Sequence, residues 1–450
     1  DCVLYSVVKN FFLDRRNQFI FAVTFAWGLL AHGMIMFRTL AIHDGVDSFL
    51  GSSSWFVGLH LGRWMQPILI KLDNFIQGSQ NFTTPCFYGF MTFFYLSILL
   101  CIMADFFRIK DKFALTALCG FTATSSIVMM LFGYVGFVPH YFIGVFMAVA
   151  GAFILCKRPG SPKNFMAGVI LMCLSTAEYQ CFFPLSMSIM LLYLINKTEK
   201  EDLSWSDFWR TAFYFLGSGI AALVLYLLCT QLVIMAARVY MPDFKLGSYA
   251  NIDTWGVTTI VDYIKRIIRA YGFVAVMPKW MSQVFTDGAR KIYFVMLLIS
   301  VYLVCREIDY LYTKSKRSAY QFIIALSVLP LCIELLRVMG DYVHTLHQLT
   351  WVIAVIFFLQ RVDAVPSLPN KIYFRRAIII LLILSSIIIA RNNNASYVKL
   401  EVVQSQTISY FTTLITRIKS TEGYKDELPV AYINEFKKTD ESLYTPDEFY

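Results

Sequence analysis

Between Arg210 and Arg238 the chain reads TAFYFLGSGIAALVLYLLCTQLVIMAA (211–237), 27 residues without a charge. As a helix this stretch is about 40 Å long, more than the roughly 30 Å of a bilayer's hydrocarbon. A helix also satisfies its own backbone polar groups, as lipid requires. The stretch is therefore a membrane span, and its equivalents elsewhere decide the fold. Ten more apolar segments run at 19–37, 84–107, 113–133, 141–156, 164–181, 183–196, 292–305, 322–338, 349–360 and 377–391. Composition agrees: 58% of residues are hydrophobic and 15% charged, where soluble domains carry about 25% charged residues. The expected fold is an all-α polytopic membrane protein with about eleven transmembrane helices.

Basic residues set the orientation. Place the N-terminus in the cytoplasm, with Lys9, Arg15 and Arg16 before the first span. Every link returning to that side then carries at least three Lys or Arg, such as Arg108, Lys110 and Lys112 after the second span. The short opposite links 134–140 and 339–348 carry none. This is the positive-inside pattern. It explains the net charge of +9 as topology, and no basic stripe interleaved with stacking aromatics points to nucleic acid. The transmembrane domain is then 1–391, with long extracytoplasmic loops at 38–83 and 238–291 and an extracytoplasmic tail at 392–450. The first loop holds an amphipathic run. The tail is acidic, has helical apolar spacing over 401–420 and reads as a strand over 429–433, so a small α/β appendage is expected there.

The cysteines sit mostly inside apolar segments and lack metal-ligand spacing. No phosphate-binding loop or dinucleotide fingerprint is present. Neither a metal nor another cofactor is expected.

The first outer loop has the densest chemistry. His43, Asp44 and Asp47 lie just beyond the first span, where Asp44-Gly45 favours a turn. A carboxylate there can take a proton from a sugar hydroxyl; the alternative is a solvated helix end. Serines then precede a run through Trp55 and Leu61-Gly62-Arg63-Trp64 to Pro67, which suggests an N-capped amphipathic helix. Its tryptophans suit the interface plane and Arg63 the headgroups, unless it is a packing helix alone. His140 falls on the same side. So does Glu178-Tyr179-Gln180, whose carboxylate, ring and amide suit a sugar or cap a helix end. Arg269 lies in the second long loop. Glu334, Arg337, Asp341, His344 and His347 surround the exit of the ninth span. Glu334 and Arg337 share a helix face; Arg337 either meets a lipid phosphate or forms an internal pair that fixes packing.

Ile42-His43-Asp44-Gly45, with Trp55, Leu61-Gly62-Arg63-Trp64 and the later Glu178-Tyr179-Gln180, resembles phage-type O-antigen glucosyltransferases of the serotype-conversion (Gtr-like) class. The resemblance covers about residues 15–395. It implies a GT-C type glycosyltransferase in a bacterial inner membrane, with active site and C-terminus extracytoplasmic. Such enzymes take a sugar, here glucose, from a polyprenyl-phosphate donor and pass it to a glycan or lipid-linked glycan such as O-antigen. Membrane lipids are the surroundings and nucleic acid plays no part. Many relatives carry two adjacent acids in the first loop. Here His43-Asp44 stands in that place with Asp47 three residues on, so either Asp44 or Asp47 is the catalytic acid-base group. Arg337 and Arg269 are assigned to the donor phosphate. His43, Trp55, Arg63, Trp64, His140, Glu178, Tyr179, Gln180, Asp341 and His344 are assigned to sugar or acceptor. The rival functions are a flippase or transporter for a lipid-linked glycan, another membrane glycan polymerase or ligase, and a structural scaffold.

Overall fold

The computed structural model describes residues 9–38, 40, 56–77, 84–133, 138–247, 259–276, 287–340, 343, 345–364 and 371–427. Within these residues all regular structure is helical. The helices are α1 (Arg15–Met36), α2 (Phe56–His60), α3 (Met65–Gln77), α4 (Pro85–Phe106), α5 (Lys112–Thr124), α6 (Ser126–Leu131), α7 (Val138–Lys157) and α8 (Pro162–Glu178). They continue with α9 (Phe182–Lys200), α10 (Trp205–Tyr240), α11 (Ile260–Val276), α12 (Asp287–Lys314), α13 (Lys316–Ile333) and α14 (Leu335–Met339). A 3-10 turn (Thr345–Gln348), α15 (Trp351–Ala364) and α16 (Lys371–Lys419) complete the described chain.

Each of the eleven apolar segments falls on helix, but the count of eleven spans is not reached. Eight helical stretches among the described residues are long and apolar enough to cross a membrane; α5 and α6 count together as one of them. The segments that fall short are α8, α9 and α15. A 14-residue α15 is about 21 Å long, short of the hydrocarbon thickness. In α9 the interior carries Ser186, Ser188 and Thr198, all buried. α9 lies against α7, α10, α13 and α15, and residues 351–359 of α15 are buried, whereas α8 leaves Met166 and Ile170 exposed.

Contacts sort the helix ends into two sets. At one end Arg16 pairs with Asp105 at 3.2 Å and Arg375 with Asp111 at 3.7 Å. Gln360 donates to Phe107 O at 3.1 Å, and Asn196 donates to Gln360 at 3.3 Å. This is the end with the basic links, called inner below. At the outer end Arg38 pairs with Glu401 at 2.8 Å. Nearby, His32 Nδ1 lies 2.7 Å from the Tyr397 hydroxyl.

The inner end is closed by side chains. Asp14, Asp111, Ser161, Ser204 and Ser315 each accept a backbone N–H at the start of α1, α5, α8, α10 and α13, which satisfies donors a helix start leaves over. Between α9, α12 and α15 sits a buried ionic cluster. Arg361 Nη1 donates to Glu199 at 2.6 Å and to Glu307 at 2.7 Å, and Nη2 to Asn196 at 3.3 Å. The guanidinium also lies 4.5 Å from the Phe357 ring centre.

The tail begins as an extension of the last span. α16 is one 49-residue helix, about 74 Å long, and crosses position 391 without a break. The expected helix over 401–420 is there as its continuation, through Lys419. The expected strand at 429–433 lies outside the described residues.

Candidate active site

The outer end converges on a turn in the first outer loop. α2 ends at His60, and Gly62 follows with φ of +73°, a left-handed backbone that favours glycine. Arg63 N donates to Gly58 O at 2.8 Å and closes the turn. Distant side chains take the carbonyls of Leu61 and Gly62. Gln180 Nε2 donates to Leu61 O at 2.8 Å, and the Tyr226 hydroxyl donates to Gly62 O at 3.1 Å. Gln180 Oε1 accepts from Arg63 Nε at 3.3 Å. The Arg63 guanidinium lies 4.2 Å from the Tyr179 ring centre, a cation–π contact. The Tyr179 hydroxyl is in turn 2.9 Å from His347 Nε2, in the 3-10 turn before α15.

Helix α8 stops where this network needs it to stop. Tyr179 has φ −156° and ψ 118°, an extended residue that takes Tyr179 and Gln180 out of the helix before α9 begins. Below it, Glu178 is buried against α7. A Cβ at Gly144 would lie 2.4 Å from the Phe182 ring and 3.0 Å from Cγ of Glu178, so this approach needs glycine. Ser175 Oγ donates to Gly144 O at 2.7 Å and fastens the two helices. One turn before Gly144, His140 Nε2 is 3.9 Å from Asp73 Oδ2. Asp73 belongs to α3, the amphipathic helix of the first loop, which packs on both α7 and α8.

Residues 33–360 match the family described as glucosyl transferase GtrII. That stretch contains every residue of the network just built. The chain belongs to the GtrII glucosyl transferase family. No curated protein and no solved structure matches it. Membership makes the chain a membrane glucosyltransferase, as the resemblance implied.

The GtrII chain treats its outer arginines differently. Arg63 is half-buried. Arg337 is buried, donates from Nε to Glu334 at 2.9 Å, and stacks 4.0 Å from the Phe273 ring centre. Trp351 Nε1 donates to the other Glu334 oxygen at 2.8 Å. The internal ion pair, one of the two readings of Arg337, is what the geometry contains. Arg266 is also buried and donates to Met339 O at 2.8 Å, while Arg269 is exposed on the same helix α11.

Of the expected sugar or acceptor residues, Arg63, Tyr179 and Gln180 meet directly. Trp64 packs against Cys173, Ala177 and Tyr226. His43, Asp44, Asp47, Trp55, Asp341 and His344 lie outside the described residues. Among the described residues no group of three His, Cys, Asp or Glu is placed to hold a metal ion. Sequence reading missed Tyr226 and Asp73. Nothing marks Tyr226 within its uncharged span. Asp73 had a signal, as the one acid of the amphipathic stretch 65–77. Loop-to-loop fastening was also invisible: His60 stacks on Phe244 at 4.6 Å, and Gly247 N donates to His60 O at 2.9 Å.

Proposed function

We propose that this glucosyltransferase takes glucose from a polyprenyl-phosphate carrier at the extracytoplasmic face and passes it to a cell-surface glycan, with O-antigen as the expected acceptor. The observation that carries this reading is the outer-end network in which Arg63, Tyr179, Gln180 and His347 meet from three separated parts of the chain. It supplies a half-buried cation beside sugar-binding groups.

In the proposed reaction an acceptor hydroxyl attacks the anomeric carbon of glucose. The bond from that carbon to the phosphate oxygen breaks, and the phosphate leaves with the electron pair. A first-loop carboxylate, Asp44 or Asp47, takes the hydroxyl proton. Arg63 stabilises the departing phosphate by charge-assisted hydrogen bonds. Arg63 is preferred to Arg337 for this task, because Glu334 already neutralises Arg337 and Phe273 covers it. Arg269 stays a candidate second phosphate contact from α11. Orientation follows the basic links: N-terminus cytoplasmic, site and C-terminus outside.

The test is transfer of radiolabelled glucose by the purified protein in lipid vesicles. Polyprenyl-phosphate glucose should support transfer, and a nucleotide-glucose alone should not. Transfer from the nucleotide sugar without carrier would refute the donor assignment. Glucose lipid crossing the bilayer with no new glycosidic bond would make the protein a flippase. Asp44→Asn and Asp47→Asn separate the two base candidates by which one abolishes turnover in a folded protein.

A further inference from the structure

Five buried polar atoms without a hydrogen-bond partner among the described residues lie on the elements that meet beneath the first outer loop. They are Nδ1 and Nε2 of His140, Oε2 of Glu178, Oδ1 of Asn74 and Nε1 of Trp64. His140 is 1% exposed and Glu178 2%. The two are neighbours: Gly144 follows His140 by one turn of α7 and packs on Glu178 Cγ. Asn74 follows Asp73, whose carboxylate is 3.9 Å from His140. Trp64 immediately precedes α3 and packs against the cluster of Cys173, Ala177 and Tyr226, next to Glu178 in the chain. The residues that carry these atoms belong to α3, the turn before it, α7 and α8, and α3 packs on both α7 and α8.

Buried polar groups in folded proteins are nearly always paired, and a group of unpaired ones calls for a physical cause. The chemistry of this set narrows the cause. Glu178 Oε2 and Asn74 Oδ1 accept, Trp64 Nε1 donates, and neutral imidazole does one with each nitrogen. A glycosyl phosphate diester offers acceptors only and cannot satisfy the Asn74 oxygen. A hydroxyl donates and accepts at the same oxygen, and a hexose presents several at fixed spacing.

We propose that the seam between α3 and the α7/α8 pair binds an uncharged hexose ring through its hydroxyls. The chemistry is the same for the glucose of the donor and for a sugar of the acceptor glycan. Arg63 is bonded to Gln180, two residues beyond Glu178. A glucosyl phosphate lying here would have its hydroxyls in the seam and its phosphate at the arginine. Only this choice of sugar source rests on the proposed donor.

The test uses the full chain in lipid nanodiscs and methyl α-glucopyranoside, a probe with neither phosphate nor lipid. Saturation-transfer NMR should detect ring-proton contacts with the wild type. Trp64→Phe keeps an aromatic ring and removes the indole donor; His140→Phe and Glu178→Gln change the other groups. Each should weaken glucoside binding by about tenfold to a hundredfold, the size expected for a lost buried hydrogen bond. No contact in the wild type, or equal binding in all three variants, overturns the proposal. Transfer kinetics then find the source. If the sugar is the donor's, the variants lose discrimination between glucosyl and deoxyglucosyl donors. If it is the acceptor's, they lose it between acceptor and deoxy-acceptor. A uniform loss for every sugar in folded variants marks a packing role and overturns the proposal. Wild type that binds the glucoside but transfers nothing from polyprenyl-phosphate glucose would remove the donor assignment and leave the hexose site standing.

Discussion

At the inner end, Arg361 is fully buried and its two terminal nitrogens reach Glu199, Glu307 and Asn196. At the outer end, His140 and Glu178 are buried almost as deeply, yet both imidazole nitrogens and a carboxylate oxygen lack hydrogen-bond partners among the described residues. Helix starts differ in the same sense. The inner starts of α1, α5, α8, α10 and α13 have side-chain caps, while the outer starts at Thr84 and Cys181 have no side-chain cap bond. Each unpaired buried polar group costs about 1–3 kcal/mol. Unpaired buried polar atoms occur at both ends, Arg361 Nε among them, but at the outer end they gather on the elements beneath the first loop, and local rules tend to be broken where function sits.

The comparison would break first at Arg361. Arg361→Ala leaves the buried Glu307 and the part-buried Glu199 without their cation, and should lower unfolding free energy by about 3–5 kcal/mol, read from denaturation in detergent. Turnover per folded molecule should hold. An equally large loss from Arg63→Ala would erase the distinction between the ends.

Arg63→Ala should instead lower kcat by about 100-fold to 1000-fold, as for loss of one transition-state donor, with a stability loss of about 1–2 kcal/mol, smaller than that of Arg361→Ala. Arg63→Lys should recover little, because the ring stacking and the planar fork are lost. Arg337→Ala is the control. It should cost stability, since Glu334 stays buried without its partner, and donor affinity should survive in whatever folds.

Tyr226→Phe removes the donor to Gly62 O and the contact with Gln180 at 3.1 Å. About 1 kcal/mol of stability should go, together with a rise in KM as the Arg63 turn loosens. An unchanged KM would show that the turn does not need its tether.

The smallest effect concerns Asp202, in the exposed inner link between α9 and α10. Arg317 first, then Ser315 and Ser318, hold its carboxyl below the ordinary range. Its contribution is complete above the usual carboxylate value of about 3.9 and disappears as pH falls through the lowered value. Asp202→Asn should flatten the acid side of a melting-temperature profile slightly and leave neutral pH alone.

Hydrophobic runs and basic links made the helical membrane fold legible, because water-to-lipid transfer and charge bias act on local stretches of chain. Three helices escape that rule. Once neighbours cover a helix, it no longer needs the length and apolarity that lipid demands, so α9 and α15 look like spans without meeting the measure of one; α8, which leaves Met166 and Ile170 exposed, is short by its length of 17 residues. In the candidate site, Arg63 and Tyr179-Gln180 stood out as polar residues at span ends. Tyr226 did not, because a hydroxyl inside an apolar span gives no sign of the carbonyl it will meet.

Sequence by itself determined that this chain is a bundle of membrane helices, which end carries the basic links, and which family it belongs to, since these depend on composition and order along the chain. Only tertiary structure decided that Arg337 faces Glu334, that Arg361 is clamped by two glutamates, and that Arg63 lies over Tyr179. Those choices depend on which side chains come within about 4 Å across helices, where a charge is either compensated or left available for a ligand.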